Sequence, residues 1–246
     1  MQKTKYLLIA SLLVALLGSA YLLSLGIRHF SGGDPLVRVT GLSERHISSD
    51  LIILPITLQA TSTEQAKAYA ELQSAKSKTL AFLTANGLSA QEIRQSSISV
   101  EVLEDRTFDA KTMSYVNRSM RGYTLTMTLT IRSSKVDQVE TISSSISDLI
   151  SSGINLKVQS ASYYYTKLNE LKVEMLKEAA SDAYNRATII AEGGGSELGE
   201  LKSTTMGVFQ IVGQYQDEAY SWGGMLNTSS KEKTASVTVK ANYKIK

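Results

Sequence analysis

From Leu36, "LVRVTGLSE" alternates apolar with polar residues, the pattern of a half-buried strand. "LIILPITLQA" (51–60) is a second strand, and "RHISSD" between them suits a turn, so 36–60 is predicted as a hairpin. Pro55 cannot donate to a ladder, which points to an edge, a bulge or a local irregularity. The period then changes. Over 62–87, Ala66, Tyr69, Ala70, Leu72, Leu80 and Leu83 mark an apolar helical stripe. Ser62 or Thr63 is placed to cap its start, and Asn86-Gly87 to end it. "SSISVEVLEDR" (96–106) and "RGYTLTMTLTIR" (121–132) are strands again, and the polar stretch 107–120 is a loop or a long hairpin tip.

A second helix is predicted over 134–153, with Val136, Val139, Ile142, Ile146, Leu149 and Ile150 on one face. A strand follows at 154–165. The third and longest helix covers 167–192, striped by Leu168, Leu171, Met175, Ala179, Ala183, Ala187 and Ile190. Its alanines between 179 and 191 allow close approach of whatever packs there. Strands at 200–212 and 233–245 flank a last polar, Gly/Ser-rich loop. The order is ββ-α-ββ-α-β-α-ββ, and strand–helix–strand–loop–strand occurs twice, at 51–132 and 154–245. The expected class is α+β: two βαββ-like units, 36–132 and 154–245, joined by helix 134–153, with long helices packed on antiparallel sheets.

The N-terminus departs from this pattern. Residues 6–25, "YLLIASLLVALLGSAYLLSL", carry no charge. A helix of that length spans roughly 30 Å, the thickness of a bilayer core. Lys3 and Lys5 precede it, which keeps that end cytoplasmic. The division expected is a cytoplasmic 1–5, a transmembrane anchor at 6–27, a spacer at 28–35 and a periplasmic domain at 36–245, single-pass in a bacterial inner membrane. The rival is a signal peptide cleaved near "GSA" (18–20), which would leave the domain free in the periplasm. The apolar run continues past that site, which favours the anchor.

Charge narrows the function. Three of the 26 Lys and Arg residues, Lys3, Lys5 and Arg28, lie in the first 28 positions, where there is no acid. The remainder of the chain balances its 23 acids, so no basic surface for nucleic acid is expected. There is no cysteine, hence no disulfide and no thiolate metal site.

The candidate chemistry is thin. "AEGGGSELGEL" (191–201) invites comparison with phosphate loops. From Gly193 the dinucleotide pattern fails at Leu198, and from Gly194 the P-loop pattern fails at Glu200-Leu201. Phosphates bind helix N-termini, and this stretch closes a helix. It is expected to be a C-cap and a turn into the next strand. His29 and His46 have no ligand spacing around them, although Glu44 and Asp50 lie near His46. Ser196 sits in no nucleophile elbow. Glu104-Asp105 and Asp217-Glu218 fall in loop-like stretches, as solvated turn charges do. No catalytic residue, cofactor or metal is assigned. Two sets of aromatic residues are candidate interface or ligand surfaces: Tyr163 and Tyr165, on one side of the strand-ending "YYY", and Tyr215, Tyr220 and Trp222, in a polar loop.

Three segments together resemble the SIMPL-domain family. "VRVTGLSERHISSDLIILPITLQA" is similar to its opening VxVxG strand and the following pair ending in aspartate, here Ser49-Asp50. "GYTLTMTLTIRSSKVDQVETISSSISDLISSGIN" resembles its central GY strand and helix, and "LKEAASDAYNRATIIAEGGGSELGELKS" its alanine-spaced helix. The Ser-rich helix at 134–152 and the extra glycine at 194–195 depart from the family pattern. The resemblance implies an exported α+β envelope protein linked to stress, with ring-forming relatives and no agreed catalytic residues to carry over. The function expected is a non-enzymatic binding or assembly module, self-associating or bound to another envelope protein. The alternatives are an envelope hydrolase with scattered site residues, and a carrier of small ligands or peptides.

Overall fold

A computed structural model describes residues 13–24, 35–111, 113–215 and 221–246. Residues 13–24 form helix α1. Then follow β1 (Leu36–Ser48), β2 (Leu51–Ser62), α2 (Gln65–Ala85), β3 (Ile93–Gln95), β4 (Ser99–Asp109), β5 (Ser114–Ser133) and α3 (Val136–Ser145). The chain continues through β6 (Leu156–Val158), β7 (Ser162–Tyr164), α4 (Leu168–Gly193), β8 (Leu198–Met206), β9 (Gln210–Gly213), β10 (Met225–Leu226) and β11 (Glu232–Ile245). The class is α+β. The β2, β5 and β11 ladders to β3, β4 and β6–β9 are antiparallel, while β9 and β10 run parallel. All of α1 is exposed. Among the described residues no helix is long and apolar enough to cross a membrane. Of the predicted span 6–27, residues 6–12 and 25–27 lie outside the described residues.

The chain divides into two compact units, both discontinuous in sequence. The first takes Met1–Ser43, Leu176–Gly207 and Thr238–Lys246. In it, Val37 and Val39 of β1 and Ala241 and Tyr243 of β11 pack against Ala183 and Ala187 of α4. The alanine stripe makes this approach close. A Cβ on Gly41 would lie 2.1 Å from the Ala179 carbonyl oxygen, so only glycine fits beneath the helix. Leu42 N–H donates to Asp182 on the same helix at 2.8 Å. The stripe runs Leu171, Met175, Ala179, Ala183, Ala187, Ala191, all buried, and the predicted Ile190 is exposed instead.

The second unit takes Glu44–Met175 and Val208–Val237. β2 and β5 pair in register from Ile52↔Ser133 to Ser62↔Tyr123. Their alternate residues Ile52, Leu54, Ile56, Leu58, Leu125, Met127, Leu129 and Ile131 face α2 and α3 as one core. The buried stripe of α2 is Ala68, Leu72, Ala75, Thr79 and Leu83. The predicted stripe was rotated from this one: Ala66, Tyr69 and Ala70 are exposed, while Leu72 and Leu83 are common to both. Glu64, not Ser62 or Thr63, occupies the N-cap position. The predicted helix 134–153 tightens to 3-10 geometry at Ile146–Ser152, which turns Ile150 outward.

One strand expectation is corrected here, and at Pro55 the local irregularity is the alternative that holds. β1 and β2 are no hairpin: β1 pairs with β11, and β2 with β5, β6 and β7. "RHIS" is strand, and the turn is confined to Ser49-Asp50. That corner is fixed by backbone bonds to Lys231 and Tyr164 and by Asp50, whose carboxylate accepts from Thr166 N–H and Oγ1, each at 2.7 Å. β2 is central, so Pro55 is not on an edge. The strand beside it is broken there into β6, facing 56–58, and β7, facing 51–53. The missing N–H of Pro55 falls at that break, and its carbonyl accepts from Gln159 N–H.

The candidate groove and its surroundings

β5 outlasts β2. At Gly122 a Cβ would come within 2.5 Å of the Ser62 carbonyl oxygen, so glycine lets the end of β2 pass and turn into α2. Beyond that point, from Ser114 to Gly122, β5 pairs with β4 alone among the described residues. Of the two alternatives for 107–120, a loop or a long hairpin tip, the second holds: the ladder continues to Asp109↔Ser114. Phe108 and Tyr115 meet edge-to-face near its tip, with ring centroids 5.3 Å apart.

Where this ribbon passes the first turns of α2, the two leave a groove. Gln65, Ala66, Tyr69, Ile98, Val100 and Leu125 line a cavity of about 550 Å³, a size suited to binding. Leu125 forms its buried floor. Tyr69 is 50% exposed and Val100 46%. Cross-strand pairing explains the lining: Val100 opposes Leu125 and Val102 opposes Tyr123, all on the α2 side of the sheet. Between them Glu101, opposite Thr124, points to the other face. The outer edge of β4 has no strand beside it among the described residues.

The sequence pattern hides this groove, because Tyr69 lies at the spacing of a core stripe. The alternation in "SVEV" gave the two faces of β4 but not the fact that α2 stops short of covering one of them.

A second cluster is polar. Lys231 Nζ bonds to Asp137 and, at 3.0 Å, to Glu140, while Tyr163 OH donates to Glu140 at 2.9 Å. The carboxylates hold the Lys231 ammonium above its ordinary pKa. Burial, then the bond to Glu140, pushes the Tyr163 phenol up. Lys233, only 1% exposed, bonds to the Ser230 carbonyl and lies 6.0 Å from the Tyr163 ring. Lys231 is paired with both carboxylates, and the cluster ties β7, α3 and the chain before β11 together.

Tyr163 is half-buried in this network, and Tyr165 is half-buried just after β7. Tyr215 and Trp222 are 96% and 89% exposed. Tyr220, Asp217, Glu218 and His29 lie outside the described residues. His46 is exposed on β1 with Nδ1 3.0 Å from Thr234 Oγ1. Glu104 and Asp105 are exposed and lie on β4, not in a loop. Ser196 donates its N–H to the Ala191 carbonyl as part of a helix stop. Among the described residues no group of three or more His, Asp or Glu side chains is arranged to hold a metal.

A family model matches residues 37–243, and its description is SIMPL, protein of unknown function (DUF541). No curated protein matches the chain.

Proposed function

The chain belongs to the SIMPL family, and from that premise we propose that it is a non-enzymatic binding module held at a bacterial inner membrane by its N-terminal segment, with the 36–245 domain in the periplasm. The observation that carries the binding role is the open groove between α2 and β4, where apolar side chains line a cavity beside an uncovered strand edge. A cavity of that lining excludes water from an apolar ligand surface. It contains no titratable pair with which to move a proton: its one ionisable side chain is Tyr69. The apolar run 6–25 and the exposed apolar surface of α1 support the anchor. Self-association and a role in envelope stress follow from the family resemblance and belong to the same reading.

A photoreactive amino acid at Tyr69, in the groove, tests the binding role against one at Lys78, farther along α2. The protein is crosslinked in its native membranes. A recurrent adduct is expected at position 69, absent from position 78 and lost in Val100→Asp. Equal adducts at both positions, or none, would sink the groove as the binding site.

A further inference from the structure

Beyond Gly122 the β4–β5 ribbon leaves the rest of its sheet, and its far half differs in character from its base. We propose that this arm, residues 105–121, makes a second membrane contact, its tip lying in the headgroup region of an anionic phospholipid surface. That role rests on the N-terminal anchor and is independent of the groove.

The tip is apolar although it is open to solvent. Phe108, Met113, Tyr115 and Met120 are each more than half exposed. Phe108 and Tyr115 oppose each other in the ladder, and Met113 lies in the turn between the strands. From Gly122 to Ser114 a strand advances about 25 Å, and among the described residues only β4 and β5 pair over that distance. Aromatic rings beside cations suit the boundary between headgroups and acyl chains. Contact there is shallow, so the turn and the outer edges of the ladder keep water and headgroups as hydrogen-bond partners.

Charge names the surface. The acids of the ribbon gather at its base, at Glu101, Glu104 and Asp105. Its cations follow, at Arg106, Lys111, Arg118 and Arg121, with Asp109 the one acid among them. Arg121 stands 3.7 Å from Asp105. The outer stretch then holds Arg106, Lys111 and Arg118 against Asp109. Arg106 is directly opposite Arg118 in the ladder. Like charges so placed destabilise a strand pair, and a layer of phosphates turns the same pair into an attraction. Arg106 precedes Phe108 by two positions, so the cationic pair follows the aromatic pair back along the arm. Headgroups lie outside acyl chains in that same order. The attraction is modest, but a chain already anchored in a bilayer meets its surface at high effective concentration, so a weak contact suffices.

The chain has no cysteine, so Met113→Cys takes a single environment-sensitive fluorophore. Ser77→Cys, at an exposed position of α2, is the control. The full chain is reconstituted in phosphatidylcholine vesicles with or without phosphatidylglycerol. Lipids carrying a spin-label quencher are present in the host vesicles and in further vesicles added to them. Quenching is expected at 113 and not at 77, only with phosphatidylglycerol, and is lost at high salt. Arg106→Ser with Arg118→Ser should lower the ratio of inserted to free arms about tenfold. Phe108→Ser with Tyr115→Ser should abolish insertion with an unchanged thermal midpoint, since both rings lie at the exposed tip. Equal quenching with and without phosphatidylglycerol, equal quenching at 113 and 77, or no quenching overturns the membrane contact. So does self-quenching between labels at 113 without quenching by lipid, which would give the tip to a second copy. Carbonate extraction of the same vesicles separates arm from anchor. A chain retained without quenching at 113 sinks the arm alone, and a chain released with that quenching intact sinks the anchor alone.

Discussion

Glu92 takes hydrogen bonds from Ser133 Oγ and from the N–H and hydroxyl of Ser89, with Lys135 Nζ 3.5 Å away. The Ser133 bond, then the Ser89 N–H, lowers its pKa from 4.5 to about 2. The ionised form is therefore favoured by folding. This stabilisation is complete above pH 4.5 and declines as pH falls from 4.5 toward about 2, because the unfolded chain takes up the proton first. Glu92→Gln should cost ~1–2 kcal/mol at pH 7. Urea melts of both proteins at pH 7 and near pH 3 would show that gap shrinking with acid, and an unchanged gap would remove the electrostatic account. Little of this was visible in sequence, where Glu92 and Ser133 are far apart. Gly41 and Asp50 were visible, through the family resemblance, but not their reasons. One is the absence of room for a Cβ beneath Ala179, and the other is the pair of bonds Asp50 makes to Thr166.

Helix ends were the most legible feature of the elements, because their chemistry is local. After α2, after the 3-10 turn and after α4, a glycine adopts positive φ: Gly87, Gly153 and Gly195. In each case the next residue's N–H reaches back five positions, from Leu88 to Leu83, Ile154 to Leu149 and Ser196 to Ala191. This is the Schellman arrangement, so the triple glycine is a helix stop and not a phosphate loop. The faces of helices were less legible. Alanine and tyrosine tolerate both sides of a helix, so the stripe of α2 was drawn on the wrong ones, whereas the β-branched and leucine positions of β2 and β5 alternated cleanly into the core. The same two strands predict a gradient of stability. Amides of β5 at 123–133 lie between flanking strands, but those at 114–121 pair with β4 alone, and an isolated two-stranded ribbon is marginal in water. Hydrogen exchange followed by NMR should find the 114–121 amides at least about tenfold faster than those at 124–131. Equal protection would mean that the ribbon is held by contacts beyond its own ladder.

For the whole molecule, periodicity gave the elements and the α+β class, but partners distant in sequence had to come from structure. β1 finds β11 almost the full length of the domain away, not its neighbour β2, a pairing that no local pattern encodes. The N-terminal segment poses the opposite problem: its pattern is plain and its setting must be argued. α1 exposes Leu13, Val14, Leu16, Leu17, Tyr21, Leu22 and Leu23, and leaving such side chains in water forfeits roughly 1.5–3 kcal/mol each. Twelve helical residues reach only about 18 Å, but the uncharged run of 20 from Tyr6 to Leu25 matches a bilayer core of about 30 Å. Cleavage after Ala20 would remove most of that run and leave "YLLSLGI" uncovered in water. Retention follows. The protein from membranes should have the intact mass of the whole segment and should resist alkaline carbonate extraction. Leu16→Arg with Leu17→Arg should weaken that retention, because each central arginine costs about 2.5–3.5 kcal/mol on insertion. A mass lacking the first ~20 residues, with the protein released in soluble form, would replace the anchor with a signal peptide. The domain would then meet its partners free in the periplasm.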